Sequence, residues 1–150
     1  MTTKSVAIRN VVRGENVVIY EPVNLYDCEL EDGVFIGPFV EIQGHTRIGK
    51  GSKIQSHTFI CEYVTVGERC FIGHGVMFAN DMFREGKPNP DRESWGRIVV
   101  GNDVSIGSGA TILAVTIADG VVIGAGSVVT KSLTEKGVYA GNPARLLRRL

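Results

Sequence analysis

Aliphatic or aromatic side chains recur at every sixth position from Leu30 to Phe78: Leu30, Ile36, Ile42, Ile48, Ile54, Ile60, Val66, Ile72 and Phe78. Four residues after each of the first eight anchors stands a small or β-branched residue (Val34, Val40, Thr46, Ser52, Thr58, Val64, Cys70, Val76). Glycine follows the anchor directly at Gly37, Gly49, Gly67 and Gly73. A helix repeats near 3.6 residues and an open strand at 2, so neither explains this spacing. A short fixed period marks a solenoid, whose repeats cannot bury an apolar face alone and stack on one another. The anchors and their partners four residues on are therefore expected to point inward. Phe39, Phe59, Tyr63, Phe71 and Met77 then point outward, and a row of exposed apolar groups predicts a subunit contact or packing against a loop.

The pattern is interrupted in three places. At the start, Val12 and Val18 fit the six-step extrapolated backwards but Asn24 occupies the next anchor. Residues 1–29 are thus expected to form an irregular N-terminal capping coil, since a terminal repeat must face water. After Phe78 comes a polar insertion loop over residues 79–97, holding the single tryptophan, Trp95, with Phe83 and two prolines. Loops of this length are functional or disordered, and these aromatics predict one that docks. The rhythm resumes at Val100, Ile106 and Ile112, loses one residue before Ile117, and continues to Ile123 and Val129. In the tail, Asn142 followed by Pro143 reads as a helix start, which predicts a short C-terminal helix over 141–150.

Composition narrows the setting. The 150 residues form one domain with enough chain for a core, and 16 basic residues balance 16 acidic ones. That balance recommends neither nucleic acid nor an anionic membrane as partner. Met1 to Asn10 holds no apolar signal segment, and no stretch approaches a membrane span. Three cysteines (Cys28, Cys61, Cys70) have no metal-like spacing, which fits a reducing cytoplasm.

The repeat resembles the hexapeptide repeat of left-handed parallel β-helix proteins, an all-β fold in which three six-residue rungs make one triangular coil. Handedness comes from the resemblance, because right-handed crossovers are the general rule for parallel strands. Several further features together are similar to the hexapeptide acyltransferase family. They are the loop after Phe78-Ala79-Asn80-Asp81, the run Ile-Gly-Ala-Gly-Ser-Val-Val-Thr-Lys (Ile123 to Lys131) and Gly-Asn-Pro-Ala-Arg (Gly141 to Arg145). His-Thr-Phe-Ile-Cys-Glu (His57 to Glu62) with Gly-His-Gly-Val-Met-Phe-Ala-Asn-Asp (Gly73 to Asp81) narrows the likeness. It resembles the branch that N-acetylates nucleotide-linked amino sugars, such as 3-amino-glucuronic-acid derivatives, in surface-polysaccharide and lipopolysaccharide biosynthesis.

The resemblance implies a homotrimer with acetyl-CoA lying between neighbouring prisms. The pantetheine arm is then expected near Gly107, Ala125 and Gly126, where small residues allow close approach. Lys131 and Arg145 are candidates for the CoA phosphates, or basic residues answering a helix dipole. On a regular prism, residues eighteen apart lie on one face about 4.8 Å apart, which pairs Glu62 with Asn80. His57 and His74, seventeen apart, fall near one corner of adjacent coils. Asn80 and Asp81 are expected to hold the sugar amine, with Asp81 or His74 accepting its proton. His57 and Glu62 are assigned to sugar or diphosphate oxygens, and Arg84 to a sugar carboxylate, the pyrophosphate or solvent. Asn80 also fits a purely structural turn role. Two rival readings remain: a γ-class carbonic-anhydrase-like metalloprotein using His45, His57 and His74, and a non-catalytic scaffold. His45, twelve before His57, falls on a different face, which weakens the zinc reading.

Overall fold

The inward ladder positions wind the chain into a left-handed parallel β-helix with three flat faces. The computed structural model describes residues 1–4 and 7–150, so residues 5 and 6 of the expected first coil lie outside the described residues. Among the described residues, face I stacks seven strands from Ile8–Arg9 to Val128–Val129, and face II six from Val12–Arg13 to Thr116–Ile117. Face III stacks eight, from Val18–Ile19 up to an antiparallel pair at the top, Gly137–Ala140 with Arg145–Arg149. No helix among the described residues is long and apolar enough to cross a membrane.

Each anchor from Leu30 to Phe78 is at most 1% exposed, and the eight partner positions at most 3%. The core is a single file of interlocked aliphatics, with Ile36, Ile54, Ile72, Ile106 and Ile123 in register up face III. Where a partner position is polar, its hydroxyl finds a carbonyl: Ser52 Oγ donates to Gly67 O (2.8 Å) and Thr58 Oγ1 to Gly73 O (2.9 Å). Among the described residues, no buried side-chain nitrogen or oxygen lacks a partner, as the cost of an unpaired polar group requires. Glycine after an anchor serves stacking: a methyl group on Gly49 would stand 2.5 Å from the Gly67 carbonyl of the next coil.

Every change of step length falls at the corner between faces I and II. The inward pairs Ile8/Arg13, Leu25/Leu30 and Ile112/Ile117 are five apart there, Ile42/Ile48 and Ile60/Val66 six, and Phe78/Val100 twenty-two. From Arg13 to Val129, the other two corners hold six throughout.

Two sequence expectations are corrected. Because of the five-residue step at Leu25/Leu30, extrapolating sixes backwards runs one residue out of phase. Arg13 pairs with Leu30 and Ile19 with Ile36, so Val12 and Val18 point outward, 65% and 46% exposed. The described part of the first coil pairs in the ladder, with Ile8 beside Leu25, while its corner after Ile8 is one residue short and Arg13 is exposed. The expected helix over 141–150 is instead the strand Arg145–Arg149, folded back antiparallel on Gly137–Ala140. A helix of so few residues gains little without packing. The open edge of Gly137–Ala140 supplies ladder bonds, and Gly141 (φ 101°) takes the turn.

Candidate active site

Face I separates two groups of candidate residues. At its edge with face II lie Glu62, Asn80, Asp81, Arg84 and Lys131; at its edge with face III lie His57, His74, Gly107, Ala125, Gly126 and Arg145. The two histidines do share a corner, but they stand across face I from Glu62, Asn80 and Asp81 in the same chain. Phe59 and Met77 lie in register on the outer surface between the two edges, and Phe39 stands at the face III edge. Tyr63 sits at the other edge, and Phe71 alone of the outward row faces out from face III.

Glu62 and Asn80 sit one above the other, as their spacing requires, and Asn80 Nδ2 donates to the Glu62 carbonyl (2.7 Å). Both are buried, at 6% and 5% exposure. The Glu62 carboxylate accepts from Arg92 Nη1 of the loop at 3.1 Å. Asp81 ties the base of the loop, with Oδ1 accepting from the Phe83 N–H (3.0 Å) and Oδ2 from the Asn89 N–H (2.8 Å). Trp95 Nε1 donates to Asn89 O at 2.9 Å, which holds the indole against the loop. Between loop and coils remains a cavity of about 400 Å³ lined by Asn80, Asp81, Arg84, Asn89, Trp95 and Ala114 among others. At the same edge, burial first and then the charges of Glu62 and Glu41 push the Tyr26 phenol upward, against the lowering by Arg92 and Arg9.

At the opposite edge a column of left-handed residues climbs the corner: Phe39 (φ 62°), His57 (64°), Gly75 (63°), Gly109 (70°) and Gly126 (69°). The lower two carry rings stacked at 4.9 Å. The upper three are bare, and a Cβ at any of them would meet nothing within 4 Å. Internal packing therefore does not demand glycine there, and side chains are tolerated at the same corner two coils below. A smooth track with exposed backbone results, flanked by His74 and Ala125.

The third histidine of the zinc alternative stands elsewhere. His45 lies at the face I/II corner with its ring parallel to Tyr63 at 4.9 Å, and the Arg97 guanidinium covers Tyr63 at 4.7 Å. The thiols offer no activated nucleophile, since all three are buried. Burial pushes Cys61 up to about 12 and Cys28 to about 11, and raises Cys70.

Sequence reasoning missed Arg92, because the loop has no period to say which of its charges turns inward. It also missed Gly75 and Gly109, although eighteen-residue arithmetic from His57 reaches Gly75 at once.

Residues 27–62 match the bacterial transferase hexapeptide (six repeats), and residues 97–131 the hexapeptide repeat of succinyl-transferase. These two stretches carry hexapeptide repeats, and solved acyl- and acetyltransferases share the fold. Perosamine N-acetyltransferase from Caulobacter crescentus, in complex with CoA and GDP-perosamine, matches at TM-score 0.68 and 23% identity over 91% of this chain. The chain spans 56% of that protein's length. AntD, an N-acyltransferase from Bacillus cereus in complex with dTDP and coenzyme A, matches at TM-score 0.73 and 22% identity, covering 93% of this chain and 84% of AntD. A hexapeptide-repeat acetyltransferase from Vibrio cholerae, complexed with acetyl coenzyme A, matches at 0.64 and 23%, covering 91% and 69%.

Proposed function

We propose that the protein is an acetyl-CoA-dependent N-acetyltransferase acting on the amino group of a nucleotide-linked amino sugar, with active sites between the subunits of a homotrimer. The observation that carries this reading is the division of the site across face I. A cyclic assembly joins unlike patches, so the face III edge of one subunit meets the face II edge of the next. Half-buried Phe59 and exposed Met77, on the face between, supply the apolar contact. The bare track of Gly75, Gly109 and Gly126, with Gly107 and Ala125, takes the pantetheine arm. Arg145 stands at the top of this edge for the phosphates, while Lys131 at the opposite edge reaches a cofactor on the neighbouring subunit. The CoA and GDP-perosamine bound to the perosamine enzyme, and the coenzyme A and dTDP bound to AntD, support the two ligand classes.

The chemistry asks little of the protein. An amine flanked by electron-withdrawing groups titrates near an α-amino group, about 7.7 to 8.0, so roughly a tenth is neutral near pH 7. Asn80 and Asp81 position it beside the Glu62 carboxylate, and His57 and Arg84 hold the rest of the sugar nucleotide. The nitrogen attacks the thioester carbonyl and a C–N bond forms. The nitrogen's proton passes to Asp81 or to His74 across the interface. The C–S bond then breaks, and CoA leaves as a thiolate that takes up a proton. Positioning of the two reactants, with an amide or backbone N–H at the oxyanion, supplies most of the acceleration. On this reading the enzyme works in the cytoplasm, at a step that prepares sugars for surface polysaccharide.

Screening nucleotide-linked amino sugars with acetyl-CoA, and following free thiol, tests the activity. Amine-dependent release is expected, and its absence across the panel would refute the reading. The track has its own test. Gly126→Phe is expected to raise the acetyl-CoA Kd at least tenfold by filling it. The fold should lose only about 1–2 kcal/mol, the cost of a side chain in a left-handed conformation. An unchanged Kd by calorimetry would move the cofactor elsewhere.

A further inference from the structure

The outer part of the insertion loop is fastened to the coils by one of its own cations. Among the described residues, the Arg92–Glu62 contact is the one side-chain hydrogen bond joining residues 82–95 to the β-helix. The loop's other side-chain bonds are internal: Asp81 to the N–H groups of Phe83 and Asn89, Asn89 to Ser94, and Trp95 to Asn89. The loop therefore holds its own shape, is tethered at its base by Asp81, and has a single side-chain ion pair to keep its outer part on the coils.

The two partners are unequal. The Glu62 side chain is 8% exposed and the Arg92 side chain 68%. Arginine letting go loses little, because its guanidinium already faces water. Glu62 left alone is a buried carboxylate without a countercharge, which is strongly unfavourable. The contact is also a single N–H···O bond and not the two-pronged fork that makes arginine pairs tight. Such a site exchanges its cation easily and tolerates having none badly.

We propose that Glu62 is an ammonium subsite which Arg92 occupies in the free protein, latching the loop against the coils until the acceptor's cationic amine takes its place. This deepens the acetyltransferase reading and rests on it for the identity of the incoming amine. Arg92 is then a specificity-determining residue. A sugar with hydroxyl in place of the amine cannot replace the guanidinium without stranding Glu62, so it leaves the latch closed. The captured ammonium gives one proton to water before nitrogen attacks the thioester, and the base named above takes the second once the C–N bond has formed.

Hydrogen exchange on the whole protein tests the latch without any sugar. Arg92→Ala and Glu62→Gln are expected to speed exchange of the amides of residues 82–95 at least tenfold and to leave those of the coils unchanged. Arg92→Lys should fall between. Loop exchange unchanged in Arg92→Ala overturns the latch. Calorimetry with UDP-glucosamine and UDP-glucose as an amine/hydroxyl pair tests the exchange of cations. Wild type should prefer the amino sugar, and Arg92→Ala should bind it several-fold tighter, its internal competitor gone. Weaker or unchanged binding makes Arg92 a substrate contact or a bystander and sinks the proposal, as does equal binding of the two sugars by wild type. If no amino sugar is acetylated while these results hold, the acetyltransferase reading fails and the latch stands.

Discussion

Ile54→Asp is expected to leave no folded protein. Ile54 is fully buried on face III, stacked between Ile36 below and Ile72 above. Removing a buried isoleucine side chain costs about 2–5 kcal/mol. An unpaired carboxylate in its place adds several more, because the single-file core offers no water and no cation. The sum is comparable to the whole stability of a typical domain, about 5–15 kcal/mol. Ile54→Val is the control and should cost about 0.5–1.5 kcal/mol. Circular dichroism and gel filtration check the pair. A soluble Asp variant with a normal melting transition would mean that the six-residue rhythm does not point inward.

The second large effect is chemical. Asn80→Ala is expected to reduce kcat about 100- to 1,000-fold, the range found when one positioning or oxyanion donor is removed. The Asn80 amide nitrogen already donates to the Glu62 carbonyl, which leaves the amide oxygen to receive the sugar amine. Some stability is lost as well, about 1–3 kcal/mol, because the Glu62 carbonyl is left without its donor. The two effects separate when kcat is measured well below the melting temperature with the assembly intact by gel filtration. Near-normal turnover there would confine Asn80 to holding two coils together.

The core was legible because a solenoid writes its geometry into sequence one rung at a time. Leu30 to Phe78 could be read directly, and stacking arithmetic put Glu62 under Asn80. The same arithmetic failed where a corner changed length. The short step from Leu25 to Leu30 turned Val12 and Val18 outward, because one missing residue reverses the side of every residue before it. The tail misled for a different reason. Asn142-Pro143 is a sound local helix signal, but the unpaired edge of Gly137–Ala140 is a longer-range competitor that local rules do not register. Within the site, residue types were readable and corners were not. His57 and His74 sit within two coils of Glu62 and Asn80 along the axis, yet a prism has three edges, and closeness along the axis says nothing about which edge a residue occupies.

The confinement of every length change to the face I/II corner has a consequence for how the molecule divides its labour. Two edges keep the pitch of the spool, and the third carries whatever is threaded onto it. The sixteen residues by which the Phe78–Val100 step exceeds an ordinary six are absorbed without disturbing the ladder above or below, since Met77 still meets Thr111 and Val66 still meets Val100. Foldability and, on the reading proposed above, choice of acceptor are thus encoded on separate stretches of chain, so the appendage can be exchanged like a tool head while the shaft stays the same.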